Sequence, residues 1–170
     1  MKGLIICGSR SDWDKMVHAF LESKQWNVEL DVDIDSCHRN PKETELLALA
    51  ILMSGYDFVV CVGGKAFALP GVIDAWIYYW ANYFGKKPVV VFGVALGEPR
   101  TAALLAAQLS IVEIPGQPIP LVTSVDAYTG LEGLERILRM AEEGHLPAAK
   151  INRPEKPAER RIWSNYIAPE

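Results

Sequence analysis

The feature that most constrains this chain is a repeated alternation. Short apolar runs stop at glycine or polar residues, and each is followed by residues spaced for a helix. Leu4-Ile5-Ile6-Cys7 ends at Gly8-Ser9, as suits a strand buried on both faces. Trp13, Met16, Val17, Phe20 and Leu21 then form an amphipathic stripe, with Ser11 or Asp12 placed to cap it. Val28, Leu30, Val32 and Ile34 alternate with Glu29, Asp31, Asp33 and Asp35, which predicts a strand with one wet face. Asn40-Pro41 opens a second helix. Phe58 to Val62 reads as a third strand stopped by Gly63-Gly64, and a third helix runs from Pro70 or Gly71 to about Gly85. Val89 to Val94 is a fourth strand, Glu98-Pro99 opens a fourth helix, Ile119 to Thr123 is the candidate fifth strand, and 131–143 is a last helix.

Strands alternating with helices in this way predict an α/β fold, a three-layer αβα sandwich around a parallel sheet. Residues 1–147 form that domain in this reading. Residues 148–170, with three prolines and mixed charge, form an extended arm expected to pack on a neighbouring subunit through Ile162-Trp163 and Tyr166-Ile167. Half of the residues are apolar, which supplies a core and excludes disorder. With 17 Lys and Arg against 21 Asp and Glu, no basic stripe suits nucleic acid. Cys7, Cys37 and Cys61 have no metal-type spacing. Leu69 to Phe84 is interrupted by Asp74 and Asn82 and is too short to span a bilayer. A cytoplasmic protein with reduced thiols is expected.

In an open parallel sheet, ligands bind beyond the carboxyl ends of the strands. Segments 8–13, 35–41, 62–69 and 94–99 each follow a strand and are expected on one edge. The first carries Ser9, Ser11 and Asp12 at a helix start, where backbone N–H groups and the dipole favour phosphate and an acidic residue suits sugar hydroxyls. An ordinary helix cap explains the same residues. The second carries His38, able to move protons near neutral pH, beside Arg39, whose guanidinium forks onto phosphate oxygens. Cys37 is the one thiol nucleophile candidate. In the third, Gly63 and Gly64 let a ligand approach main chain, and Lys65 adds a cation or simply reaches solvent. Together these loops outline a site for a small phosphorylated metabolite. His18 and His145 read as a solvated residue and a helix-end residue.

Gly8-Ser9-Arg10-Ser11-Asp12-Trp13, Ser36-Cys37-His38-Arg39-Asn40-Pro41, Gly63-Gly64 with Leu69-Pro70-Gly71, and Ser110-Ile111-Val112-Glu113-Ile114-Pro115 resemble segments of the PurE family. That family comprises N5-carboxyaminoimidazole ribonucleotide mutases and aminoimidazole ribonucleotide carboxylases of purine biosynthesis. The resemblance, over about residues 3–140, implies a flavodoxin-like fold, a homo-octamer, and no metal or organic cofactor. It implies an isomerase that moves a carboxylate from N5 to C4 of an aminoimidazole ribotide through CO2. His38 matches the family histidine that protonates C4 and later removes its proton. Ser9, Ser11 and Arg39 match residues around the phosphate, and Asp12 one at the ribose. Ser36 and the backbone of Gly63, Gly64, Lys65 and Ala66 match positions lining the base and carboxylate. Direct carboxylation by CO2, carboxylation of another nucleotide, and non-catalytic nucleotide binding remain alternatives.

The chain departs from that pattern in several places. Ala68 stands where many members have histidine, Lys65 replaces a glycine, Cys37 a common alanine, and Leu96-Gly97-Glu98 a glutamine-serine. Extra residues fill the helix from Asp74 to Lys87. Trp76, Tyr78, Tyr79, Trp80, Tyr83 and Phe84 crowd that helix. Burial between subunits is the expectation for them, with a stacking platform for the imidazole as the alternative.

Overall fold

The computed structural model describes residues 1–151. The arm expected from 148 onward therefore lies almost wholly outside the described residues. Strands β1 (Lys2–Cys7), β2 (Glu29–Ile34), β3 (Phe58–Gly63), β4 (Val90–Ala95) and β5 (Tyr128–Thr129) form one sheet. Its order is β2-β1-β3-β4-β5, and every pair is parallel. This is the flavodoxin-like doubly wound arrangement, whose strand order reverses between β1 and β3. The three-layer α/β expectation holds.

Helices α3 (Pro41–Met53), α4 (Leu69–Phe84) and α5 (Ala102–Val112) cover one face. The other face is covered by α6 (Gly130–Glu142) and by an N-terminal helical segment of three parts: α1 (Arg10–Asp12), a wide π-helical turn (Trp13–Val17) and α2 (His18–Glu22). Strands β3 and β4 are buried along their whole length because helices lie on both sides. Burying a side chain such as Phe58, Phe92 or Ile137 contributes roughly 1.5–3 kcal/mol, and these residues are fully buried.

Register is what builds the functional edge. Cys7 pairs with Ile34 and with Val62, and Gly63 pairs with Ala95. The carboxyl ends of four strands are therefore level, and the loops after them leave the sheet side by side.

Four local expectations are corrected. The fifth strand is Tyr128–Thr129, and Ile119 to Thr123 lies outside the sheet. Pro118 and Pro120 flank Ile119 and lack ladder donors, while Val122 N donates to Asp126 O in a local turn at 2.8 Å. Ile119 is buried against the α3–α5 side, so its apolar character reflects core contact without pairing. Ser9, just ahead of the expected caps Ser11 and Asp12, caps the first helix. Helix α5 starts at Ala102, where Thr101 Oγ1 accepts from Leu104 N at 3.2 Å, and not at Glu98-Pro99. Asp35, expected on the wet face of the second strand, lies just past the end of β2 and is buried.

Candidate functional site

Three of the four loops meet in one cavity of about 300 Å³ at the β1/β3 switch point, lined by Gly8 and Asp12, by Ser36 to Arg39, and by Gly64 to Leu69. Seven of the ten residues singled out from sequence are in that lining: Asp12, Ser36, His38, Arg39, Gly64, Lys65 and Ala66. Ser9, Ser11 and Gly63 are not in it, although Ser9 is bonded to Asp12, which is. The fourth loop reaches the same edge, since Leu96 N donates to Gly63 O at 2.7 Å, yet it does not line the cavity.

The first loop turns at Gly8, whose N–H donates to Val62 O at 2.9 Å and so ties β1's end to β3. Ser9 is in extended backbone, and its Oγ accepts from Asp12 N at 3.2 Å. The same hydroxyl donates to Asp12 Oδ2 at 2.6 Å and lies 2.8 Å from Ser11 Oγ. Two hydroxyls and a carboxylate thus form one linked group at a helix N-terminus. The cap reading holds for Ser9, and Gly8 and Asp12 on either side of the cap line the cavity. Arg10 turns away to pair with Asp14 at 3.5 Å.

The second loop is fixed from beneath. Thr44 Oγ1, fully buried on α3, donates its one proton to Asp35 Oδ2, with Asn40 O as a second acceptor within reach at 2.9 Å. Asp35 N donates to Cys7 O at 3.0 Å. Ser36 O receives N–H bonds from Arg39 at 2.9 Å and Asn40 at 2.8 Å, closing a tight turn that presents His38 and Arg39 outward. Arg39 Nη2 reaches Gly8 O at 3.4 Å and links this loop to the first. Asn40 stands at the N-cap with Pro41 in the first turn, as expected, although its side chain makes no capping bond.

The third loop approaches main chain closely. A Cβ on Gly64 would lie 2.7 Å from Leu96 O, so glycine is required for the two loops to touch. Lys65 is exposed and adopts a left-handed φ of 59°, unusual for a side chain with a Cβ. Phe67 is buried at the cavity floor with its ring under Gly8 and Gly63.

Sequence reading passed over Phe67 and Asp35. The signal for Phe67 was a single large apolar residue inside a loop of small ones. For Asp35 it was a carboxylate placed between strand end and turn. Cys37 lines the cavity, but burial and the neighbouring Asp35 push its thiol up from its ordinary range. That disfavours the thiolate a nucleophile needs. His18 is exposed and pairs with Glu22 at 3.2 Å, and His145 is exposed beside Glu143. No residue of the aromatic helix beyond Leu69 reaches the cavity lining, so the stacking-platform alternative finds no geometry here. Among the described residues, no group of three or more His, Cys, Asp or Glu is placed to hold a metal ion, and no helix is long and apolar enough to cross a membrane.

The site therefore combines a cationic guanidinium, a lysine, one imidazole, hydroxyls at a helix start and exposed backbone. That set can hold a phosphate, orient sugar hydroxyls and carry one proton.

A family model described as AIR carboxylase matches residues 3–79, a stretch that contains all three cavity-lining loops. Three relatives are each named N5-carboxyaminoimidazole ribonucleotide mutase. That of Brucella melitensis biotype 1 is 33% identical over 119 residues, covering 68% of this chain and 65% of the relative. That of Escherichia coli K12 is 33% identical over 118 residues, covering 68% and 62%. That of Bacillus subtilis 168 is 30% identical over 120 residues, covering 71% and 67%. The matched part thus spans about two thirds of the length of these relatives.

Proposed function

Because the chain belongs to the AIR carboxylase family, we propose that it is an N5-carboxyaminoimidazole ribonucleotide mutase of purine biosynthesis. The observation that carries this reading is the single cavity in which His38 and Arg39 meet the Ser9–Asp12 helix start and the Gly64–Ala66 backbone. Arg39, Ser9 and Ser11 bind the ribotide phosphate with the first-turn amides. Asp12 takes the ribose hydroxyls. Ser36 and the backbone of Gly63, Gly64, Lys65 and Ala66 line the base and its carboxylate.

In the reaction the bond from N5 to the carboxylate carbon breaks and CO2 is held in the cavity. A new bond then forms from C4 to the same carbon. One proton is supplied as the first bond breaks and one is removed from C4 as the second forms. The proton count closes on one carrier, which is His38. The conversion is an isomerisation with no net change of atoms or electrons, and no cofactor enters this account. Burial of Phe67 beneath the loops supports exclusion of water from the floor.

The protein acts in the cytoplasm as a homo-oligomer, an octamer by family resemblance. Exposed Val32, Ile34, Leu46, Leu105 and Leu109 support burial between copies, and light scattering of the full chain reads the assembly state.

Incubation with the aminoimidazole ribonucleotide and with its N5-carboxylated form, each with and without bicarbonate, tests the assignment. Conversion of the N5-carboxylated form without added bicarbonate is expected. Turnover only of the uncarboxylated form with bicarbonate would make the protein a direct carboxylase. Binding without turnover of either would make it a non-catalytic ribotide binder.

A further inference from the structure

Two buried polar residues stand outside the cavity lining and take no part in the chemistry described so far. Asp35 is 7% exposed and Thr44 is fully buried. A carboxyl group out of water needs a hydrogen-bonded partner, and Thr44 Oγ1 is that partner. The two residues belong to different elements. Asp35 lies just past the end of β2, with its N–H on Cys7 O of β1 at 3.0 Å. Thr44 is the fourth residue of α3, and its N–H donates to Asn40 O at 3.0 Å. Between them runs the turn that carries His38 and Arg39. These contacts lie inside one chain, so they hold whatever assembly the chain forms.

The turn has few other anchors. Asn40 at the N-cap makes no side-chain capping bond. His38 and Arg39 are exposed, and Arg39 Nη2 reaches Gly8 O only at 3.4 Å. The N–H groups of Arg39 and Asn40 bond to Ser36 O, which closes the turn on itself without fixing where it stands over the sheet. The Asp35–Thr44 bond fixes that, because it joins the residue before the turn to the helix after it. The two outward side chains depend on it unequally. An imidazole on one methylene must come within hydrogen-bond reach of the atom it serves, and a misplacement of about 1 Å costs on the order of 10²-fold in rate. A guanidinium on a longer, flexible stem can follow a phosphate through the same displacement.

Resting on the reading of His38 as the proton carrier, we propose that Asp35 and Thr44 are its positioning residues. Their hydrogen bond holds the Ser36–Asn40 turn in place over the cavity. It thereby sets the rate of the proton steps while leaving phosphate binding nearly unchanged.

Four variants of the full chain test this. Thr44→Val and Asp35→Ala each remove the bond, and in Asp35→Ala the Thr44 hydroxyl keeps Asn40 O as an acceptor, so that variant leaves no buried group unpaired. Both are expected to lower kcat at least tenfold while KM for the ribotide changes less than threefold. Thr44→Ser and Asp35→Asn keep a donor and an acceptor in place and are expected to retain kcat within twofold. Wild-type kcat in Asp35→Ala, or an equal loss in the conservative variants, would overturn the proposal, as would a rise in KM matching the fall in kcat. Amide hydrogen exchange judges the bond without reference to activity. The Arg39 and Asn40 amides are expected to exchange at least tenfold faster in Asp35→Ala, with those of β3 unchanged. Unaltered protection at 39 and 40 would overturn the positioning role. Faster exchange in Asp35→Ala together with full turnover by His38→Asn would instead remove His38 as the proton carrier and leave the bond's hold on the turn intact.

Discussion

A ring carbon of Phe67 stands 2.5 Å from the point that a Cβ on Gly63 would occupy. The last residue of β3 and the floor of the cavity are therefore interlocked: the ring fills the space that any larger residue at 63 would need. The same ring lies 3.3 Å from the corresponding point at Gly8. One buried aromatic thus sets how closely the loops after β1 and β3 converge. Gly63→Ala is expected to destabilise the fold by about 1–3 kcal/mol through overpacking, and Phe67→Ala by about 3–5 kcal/mol through the void it leaves. The double variant should lose clearly less than the sum, because the alanine methyl enters the space the ring vacates. Urea denaturation of the four proteins measures the coupling, and additivity would contradict the interlock.

His38→Asn keeps a polar side chain of similar size in an exposed turn position. Turnover is expected to fall by about 10²–10⁴-fold, with the Kd for the ribotide changed little. Single-turnover assays and calorimetric titration separate the two. Full activity in this variant would remove His38 from the proton steps.

Ser9 and Arg39 should separate by what they do to stability. Ser9 caps the first helix and holds Asp12, so Ser9→Ala is expected to lower stability by about 1 kcal/mol and to raise KM. Arg39 is exposed, and among the described residues its guanidinium makes one hydrogen bond, a long one to Gly8 O. Arg39→Ala should leave the unfolding midpoint nearly unchanged while weakening the phosphorylated ligand by about 1.5–3 kcal/mol. The corresponding dephosphorylated nucleoside should bind both Arg39 forms equally.

Lys65 holds a φ of 59°, which costs a residue with a Cβ about 1 kcal/mol relative to glycine. Lys65→Gly is therefore expected to raise stability by about 0.5–1 kcal/mol. Both Lys65→Gly and Lys65→Ala should weaken an N5-carboxylated ligand far more than its uncarboxylated counterpart. Thermal unfolding and titration with the two ligands check these outcomes, and equal losses for both ligands would leave Lys65 as a solvent-facing cation.

The buried thiols predict loss of stability in base. Burial pushes Cys7 from its ordinary 9.0 up to about 12 and raises Cys61 as well. Above about pH 9 the unfolded chain releases thiol protons that the folded chain keeps, so stability falls as pH rises, and for Cys7 the fall continues to about pH 12. The slope is up to about 1.4 kcal/mol per pH unit for each thiol. Urea midpoints between pH 8 and 11 measure it, and Cys7→Ala should make the decline shallower. Below about pH 7 the contribution of either thiol to the slope is negligible.

The strand–helix alternation was legible because its causes are local. Runs such as Leu4–Cys7 and Phe58–Val62 can be buried on both faces only in a parallel sheet, and Pro41, Pro70 and Gly85 mark helix ends by backbone chemistry alone. The His38-Arg39 loop and the Ser9–Asp12 helix start were legible for the same reason, since residue type and spacing carry their chemistry. The fifth strand was not: the apolar character of Ile119 records contact with the core, and only the ladder beside β4 chose Tyr128–Thr129 instead. Nor was the burial of Asp35, which depends on Thr44 arriving from the next helix, or the place of Phe67, which depends on glycines at two strand ends. Sequence determined which groups the loops carry and that a parallel sheet would deliver them to one edge. Tertiary structure alone decided how close they come, because that distance is set by strand register and by which side chain fills the space between loops far apart along the chain.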